Sequence, residues 1–458
     1  MLKFYNSLSK RTEKFVPLKG KTVGIYVCGP TVYGPTHLGH ARTWIFFDWL
    51  RRYLIFKGFQ VKFVQNITDV GHLLGDAEQG EDKIEEEARK RGQTPAEIAR
   101  FYEKEYFEDL TALNILRPDV NPRAADHVRE IIKFIQVLIK KGYAYEVSGN
   151  VYFDVSKFSD YGKLSSRDLD HLRKETRVKI DSKKKEQADF ILWLKATAEH
   201  LQKWPSPWGK GFPGWHIECS VMSAKYLGQP FDIHGSASEH IFPHHENEIA
   251  QSRAYAGKPL ARFFLHSGML LIKGRKMSKS SENYLTVQDI LKTYDIDTIK
   301  LAFMMTFWRK PFNWPAPSAV EGPDTSGTEG QESTLSEATK IRVRLVRAKI
   351  AAKDGKSDFS EEFYDALDND FNTPKALAII LKNLNGLKLK DFEAIEKIFG
   401  FSLEEGVKLT KKQEEMLAQR KKARLKGDWQ GADKIRKTLE EEGLILEDTP
   451  SGPRVLTK

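Results

Sequence analysis

The sequence is poor in cysteine, with only Cys28 and Cys219 among its 458 residues. A disulfide-framed secreted scaffold is thereby excluded. A single bridge, two inert core thiols, and two metal-binding or catalytic thiols all stay open. No stretch reaches the roughly 18 apolar residues that spanning a membrane needs. Met1–Ser7 has no apolar run of signal-peptide length before Lys10 and Arg11, so a cytoplasmic location without a membrane partner is expected. A Walker-type glycine loop, a G-x-G-x-x-G turn and an H-E-x-x-H helix are also absent. Their absence removes the commonest nucleotide folds and the zinc proteases as first readings. Neither charge dominates: 73 basic against 63 acidic residues leave a net +10, which permits a polyanionic partner without requiring one.

The length, at about 150 residues per domain, allows two to four folding units, and 40% apolar with 30% charged residues fits a globular chain. The first readable unit is a strand over Val23–Val27, a turn from Cys28 to Thr36, and a helix from near His37 to Lys57, stopped by Gly58. Ile45, Phe46, Trp49, Leu50 and Tyr53 recur at helical spacing and define its apolar face. A second strand over Phe59–Val64 ends in Gln65-Asn66-Ile67-Thr68-Asp69. This is the βαβ unit of a parallel sheet, with binding groups expected where strands end. Residues 81–116 read as helical, and 120–210 as an insertion between two halves of the sheet domain. Strand signals at Phe231–His234 and Arg262–Leu265 would complete the sheet. From Pro315 to Thr339, fourteen of 25 residues are Pro, Gly, Ser or Thr and none is basic, so a mobile loop is expected. Residues 340–400 read as amphipathic helices, and the last 58 as a smaller charged unit.

Three groups of residues bear chemistry. His37-Leu38-Gly39-His40 opens the first helix, where free N–H groups and the positive dipole end suit phosphate; two capping histidines without a ligand are the alternative. Lys276-Met277-Ser278-Lys279-Ser280 offers a cationic, hydroxyl-rich loop able to hold a transferring polyphosphate. The third group is Cys28, Cys219, His244 and Glu248. His244 and Glu248 share a helix face after Pro243, and two thiolates, an imidazole and a carboxylate can bind tetrahedral zinc; buried thiols and a capping histidine are the alternative. His234, Thr68 and Asp69 fall at predicted strand ends and would point into one crevice, with satisfied core polar groups as the alternative, and Trp215 is either packing or a ligand wall.

These motifs, together with Asp370-Phe371-Asn372-Thr373-Pro374 and Leu446-Glu447-Asp448-Thr449-Pro450, make the sequence resemble cysteinyl-tRNA synthetases, the class I aminoacyl-tRNA synthetases for cysteine, over nearly its whole length. The resemblance implies an α/β fold, a Rossmann-type doubly wound parallel sheet with an inserted connective region, then a helical anticodon-binding bundle and a small C-terminal unit. The corresponding limits are 1–119 and 211–265 for the two sheet halves, 120–210 for the insertion, and 266–314 for a stem-contact region with the lysine loop. The linker takes 315–339, the helical domain 340–400 and the basic C-terminal unit 401–458. It further implies one zinc per chain on Cys28, Cys219, His244 and Glu248, with His37, Gly39, His40 and Lys279 binding ATP. His37, His40, Lys276 and Lys279 would be catalytic, and Gly29, Thr68, Trp215 and His234 would line the amino-acid pocket. ATP with Mg²⁺, L-cysteine and tRNA(Cys) would be the substrates of a monomer.

Zinc makes chemical sense for such an enzyme. Cysteine and serine differ in one atom, but only a thiol, reference pKa about 8.5, readily loses its proton when metal-bound. Soft thiolate preference would then reject serine without an editing domain. Other readings are a ligase that joins cysteine to a small amino sugar and a non-catalytic RNA-binding paralogue. Against the first, Lys411–Lys437 holds ten basic and four acidic residues with Trp429, which suits RNA backbone and stacking. Against the second stand the intact His37, His40, Lys276 and Lys279.

Overall fold

The chain opens on a hairpin, Lys3–Asn6 (β1) against Arg11–Lys14 (β2). Thr22–Val27 (β3) follows, with Val23, Ile25, Tyr26 and Val27 all buried, as a strand covered on both faces requires. Leu38–Phe56 (α1) leads to Gln60–Gln65 (β4). β3 and β4 pair in parallel, with Ile25 opposite Phe63 and Val27 opposite Gln65. The expected face of α1 is buried, and Phe47 and Leu54 are buried as well. Burying each such side chain stabilises the fold by about 1.5–3 kcal/mol. Gly58 lies just beyond the helix at φ 85°.

Lys83–Arg91 (α2) and Pro95–Ala112 (α3) occupy the stretch read as helical. Val128–Lys140 (α4) precedes an antiparallel sheet of Ala144–Val147 (β5), Asn150–Phe153 (β6), Phe190–Lys195 (β7) and Gly211–Pro213 (β8), in that spatial order. Trp215–Leu227 (α5), Phe231–Ala237 (β9), His244–Ala256 (α6) and Ala261–Ser267 (β10) then return to the parallel sheet, whose order is β10-β9-β3-β4. From β3 the chain crosses outward to β4, and from β9 it crosses outward to β10. Between β3 and β9 the order therefore reverses, which opens a crevice at the carboxyl ends of the strands. Polar groups within β9 are paired: Asp232 receives the N–H groups of Leu18 and Gly24 at 2.7 and 2.8 Å. Gly235 lets β9 lie against α1, since a Cβ there would fall 2.2 Å from the Phe47 ring.

The computed structural model describes residues 1–70, 82–167, 184–277, 284–314, 329–356, 359, 361–403, 411–442, 444–449 and 452–457. It comprises two units, Met1–Met269 with Asp368–Phe371, and Leu270–Leu367 with Asn372–Lys458. In the first, the Tyr53 hydroxyl donates to Asp368 Oδ1 at 2.7 Å.

The second unit begins with a three-stranded sheet, Leu270–Ile272 (β11) between Arg275–Lys276 (β12) and Phe312–Trp314 (β13). Val287–Leu291 (α7) and Ile296–Met304 (α8) lie between these strands in sequence. The loop expected over 315–339 is corrected in its second part: residues 315–328 lie outside the described residues, but Glu329–Ala351 (α9) is helical. Leu335, Ala338, Ile341 and Leu345 are buried at helical spacing, a pattern masked in the sequence by the surrounding Ser, Thr and Gly. Glu361–Asp368 (α10), Thr373–Lys382 (α11) and Leu389–Phe399 (α12) follow. Lys411–Leu425 (α13), Trp429–Glu441 (α14) and the hairpin Leu444–Thr449 (β14) with Gly452–Thr457 (β15) end the chain. Arg420 holds Asp448 with two hydrogen bonds, at 2.8 and 2.9 Å. Among the described residues no helix is long and apolar enough to cross a membrane.

Candidate active site

Cys28 stands one residue past β3, and Asn66 and Thr68 follow β4. Cys219 projects from α5, while His244 and Glu248 lie one turn apart on α6. The ligand atoms of Cys28, Cys219, His244 and Glu248 all lie within 4.8 Å of one another. A second set, Cys28, His234, His245 and Glu248, meets the same limit and shares two members with the first. The first set has two sulfurs and is the softer, more zinc-like of the two. In the second, His245 is already engaged at both ring nitrogens, 3.3 Å from Cys28 Sγ and 2.9 Å from His266 Nε2.

The charges in this cluster favour a cation. Burial pushes the Cys28 thiol up, but its hydrogen bond with Cys219 and the nearby His245 and His244 carry it well below the ordinary thiol range. Cys219, through that same bond and its burial, lies well above that range. Burial works against a charged His244, yet Glu248 and Cys28 hold it at about 10. Glu248 is likewise disfavoured by burial but held at about 2 by His234 and His244. A thiolate and a carboxylate thus share a buried site with shared protons as counter-charge. Glu248 Oε1 is buried without a well-directed hydrogen bond among the described residues, although His244 Nε2 lies 3.0 Å away. This donor set of two sulfurs, an imidazole nitrogen and a carboxylate oxygen fits a tetrahedral zinc. His244 Nδ1 meets His216 Nδ1 at 2.9 Å, the outer contact that orients a ligating imidazole.

The rest of the predicted pocket gathers nearby. Gly29 donates its N–H to Asn66 Oδ1 at 2.9 Å, and a Cβ on it would fall 1.6 Å from the Asn66 carbonyl oxygen, so no side chain fits. Thr68 donates to Glu218 Oε2 at 2.9 Å. His234 is fully buried, with Nε2 2.9 Å from Glu248 Oε2. The Trp215 ring lies 4.7 Å from that of His244. His37 caps α1, its Nδ1 receiving the His40 N–H at 3.3 Å, and the two rings stack 3.6 Å apart. Gly39 is half-buried between them. Lys276 belongs to the exposed strand β12 of the second unit, and Lys279 lies outside the described residues.

Residues 14–320 match the family described as tRNA synthetases class I (C) catalytic domain, and residues 362–398 match the DALR domain. A cysteine–tRNA ligase of Chlorobium chlorochromatii is 41% identical over 482 residues, covering 98% of each chain. One from Deinococcus radiodurans is also 41% identical, over 98% of this chain and 95% of its own.

The chain belongs to the cysteine–tRNA ligase family.

Methionyl-tRNA synthetase of Mycobacterium tuberculosis, solved in complex with methionyl-adenylate, superposes with a TM-score of 0.53 at 15% identity, covering 88% of this chain and 84% of that one. The similarity is one of fold. Several buried polar residues of this chain were not singled out by sequence reasoning: Asn66, Glu218, His216, His245 and His266. Burial pushes the Glu218 carboxyl well up, with the Thr68 hydrogen bond opposing it and the charge of Asp69 adding to it. A signal for these residues existed in α6. From His244 to Ser252 every residue is buried, although most are polar. A helix polar all round is not expected in a core unless its side chains serve a site.

Proposed function

We infer that this protein activates L-cysteine with ATP and transfers it to the terminal ribose of tRNA(Cys). The carrying observation is the convergence of two thiols, an imidazole and a carboxylate in one buried cluster, in a chain that matches a cysteine–tRNA ligase over 98% of its length. Cys28, Cys219, His244 and Glu248 would hold one zinc ion, which supplies a soft Lewis-acidic centre selective for a substrate thiolate over a hydroxyl. Gly29, Thr68, Trp215 and His234 would frame the amino acid, with Gly29 keeping the backbone close. The cysteine carboxylate attacks the ATP α-phosphorus, and the bond to the pyrophosphate oxygen breaks. His37 and His40, presented at the N-terminus of α1 beside Gly39, donate to the phosphates. Lys276 and Lys279, from the lysine motif, neutralise the leaving pyrophosphate together with Mg²⁺. The ribose hydroxyl of tRNA then attacks the acyl carbon and AMP leaves.

The DALR match and the basic stretch Lys411–Lys437 favour tRNA over a small amino sugar as acceptor. Both cysteines are free and are needed as thiolates, which suits a reducing cytoplasm. Cysteine-dependent ATP–pyrophosphate exchange tests the reading. We expect exchange that a zinc chelator abolishes and serine does not support, followed by stable cysteinylation of tRNA. Exchange as fast with serine, or none with cysteine, would overturn it.

A further inference from the structure

After α3 the chain turns back along the edge of the parallel sheet. Gln65 and Ile67 donate their N–H groups to Val120 O at 3.0 Å and Pro122 O at 2.8 Å, and the Ala124 N–H donates to Ile67 O at 3.0 Å. Val64 faces Val120 and Ile67 faces Arg123, both in the parallel sense. Residues 120–124 therefore run beside β4 towards its carboxyl end, and Arg123 stands opposite the residue before Thr68. Between this segment and α3 lies a groove of about 910 Å³. Its end nearest the crevice is fixed by Arg123, which holds Glu103 of α3 through Nε at 3.0 Å and Nη2 at 2.8 Å.

The lining is apolar and cationic together: Phe107, Leu110 and Ile115 share it with Arg100, Lys104 and Arg117. Arg100, Lys104, Phe107 and Thr111 recur at steps of three and four and so lie on one face of α3. Of the two carboxylates in the groove, Glu103 is taken by Arg123, and Glu108 has Lys104 at 3.6 Å. Arg100 and Arg117 are exposed, and among the described residues neither forms an ion pair. The Arg117 guanidinium lies 3.9 Å from the centre of the Phe107 ring. A planar guanidinium stacked on a ring offers its outer face to another planar group, and a nucleobase is such a group. Uncommitted cations beside a stacking plane match bases joined by phosphates, whereas an acidic peptide would leave the plane unused.

We propose that this groove takes the unpaired strand at the acceptor end of tRNA, with Arg117 stacking on a base and Arg100 pairing with phosphate. This rests on the cysteine-ligase reading above: the terminal ribose has to reach the crevice, so the nucleotides before it pass over the crevice rim, where the Arg123 end of the groove lies.

The test is equilibrium binding of the full-length protein to two RNAs: whole tRNA(Cys), and the same molecule lacking the unpaired nucleotides at its 3′ end. Wild type, the double variant R100Q/R117Q and R117K are compared over a range of salt, each shown to be folded by urea unfolding. The double variant should bind whole tRNA roughly tenfold more weakly, the scale of a lost contact to a charged group. Its log–log salt slope should fall by about 1–2. Its affinity for the shortened RNA should stay within about twofold of wild type, since the contacts it lacks are to the missing strand. R117K keeps the charge but not the plane, so it should keep the salt slope and still bind whole tRNA about threefold or more weakly. Equal loss on both RNAs, no loss on whole tRNA, or wild-type affinity in R117K would overturn the proposal. A wild type without cysteine-dependent ATP–pyrophosphate exchange would overturn the cysteine-ligase reading itself, and this proposal with it.

Discussion

At the buried cluster, the Cys219 thiol keeps its proton because it is hydrogen-bonded to Cys28 and buried, while, against burial, that same bond, His245 and His244 favour the Cys28 thiolate. Replacing one of those sulfurs by oxygen removes a soft donor while barely changing the volume. Cys219→Ser should therefore lower bound zinc and the cysteine-over-serine preference in exchange together; metal analysis showing full zinc retention would refute its ligand role. Asp69 offers a pH-dependent prediction. Burial raises its carboxyl to about 6, so the folded protein holds this proton more tightly than the unfolded chain does. Its favourable contribution is complete below about pH 4 and is lost as the pH rises through 6. Asp69→Asn keeps an acceptor for the Ala125 N–H, which Asp69 Oδ1 now receives at 2.8 Å. Urea unfolding at several pH values should show the variant gaining on wild type by up to about 3 kcal/mol between pH 4 and 7. The convergence of Cys28, Cys219, His244 and Glu248 was legible because chemistry narrows the choices: two cysteines, and a histidine and glutamate one helical turn apart. Glu218 was not, because a carboxylate next to a cysteine carries no spacing that distinguishes a buried partner from a solvated one.

At the scale of elements, β9 and α1 meet without room for a side chain at Gly235. Gly235→Ala must displace the Phe47 ring or the strand, and overpacking of this kind costs about 1–3 kcal/mol. Denaturant unfolding should register that loss, and a larger effect on exchange than on stability would show the displacement reaching His234 beside it. The strands and long helix of the βαβ unit were readable from apolar runs and 3.6-residue spacing, and the structure moves their ends by a residue or so. The antiparallel sheet β5–β8 was not readable. Its strands are three to six residues long, too short for periodicity to separate from loop, and their register depends on partners up to 42 residues away, as Val151 is from Trp193. The helix Glu329–Ala351 was missed for the opposite reason, since composition outweighed a sparse apolar stripe.

For the whole molecule, charge is the property that reads most directly. The stretch Lys411–Lys437 carries ten of the 73 basic residues against four acidic ones, on α13 and α14, with Trp429 60% exposed and the Arg424 guanidinium 5.6 Å from its ring. tRNA affinity should fall steeply with salt, and Lys421→Gln with Lys422→Gln should reduce the log–log slope by about 1–2. Cysteine-dependent exchange should stay unchanged in that variant, and an unaltered slope would place the RNA elsewhere. The partition into two units could not be foreseen: Asp368–Phe371 joins the first unit through Tyr53, some 300 residues earlier, and no local pattern announces such a pairing. Long separation also governs the ligand cluster. Cys28 and Cys219 stand about 190 residues apart, and at 5–20 residues per second on the ribosome that interval is on the order of 10–40 s. Cys28 therefore leaves the ribosome as a lone thiol, and a metal held by all four residues could be captured only after Glu248 has emerged, once more than half of the 458 residues have been joined.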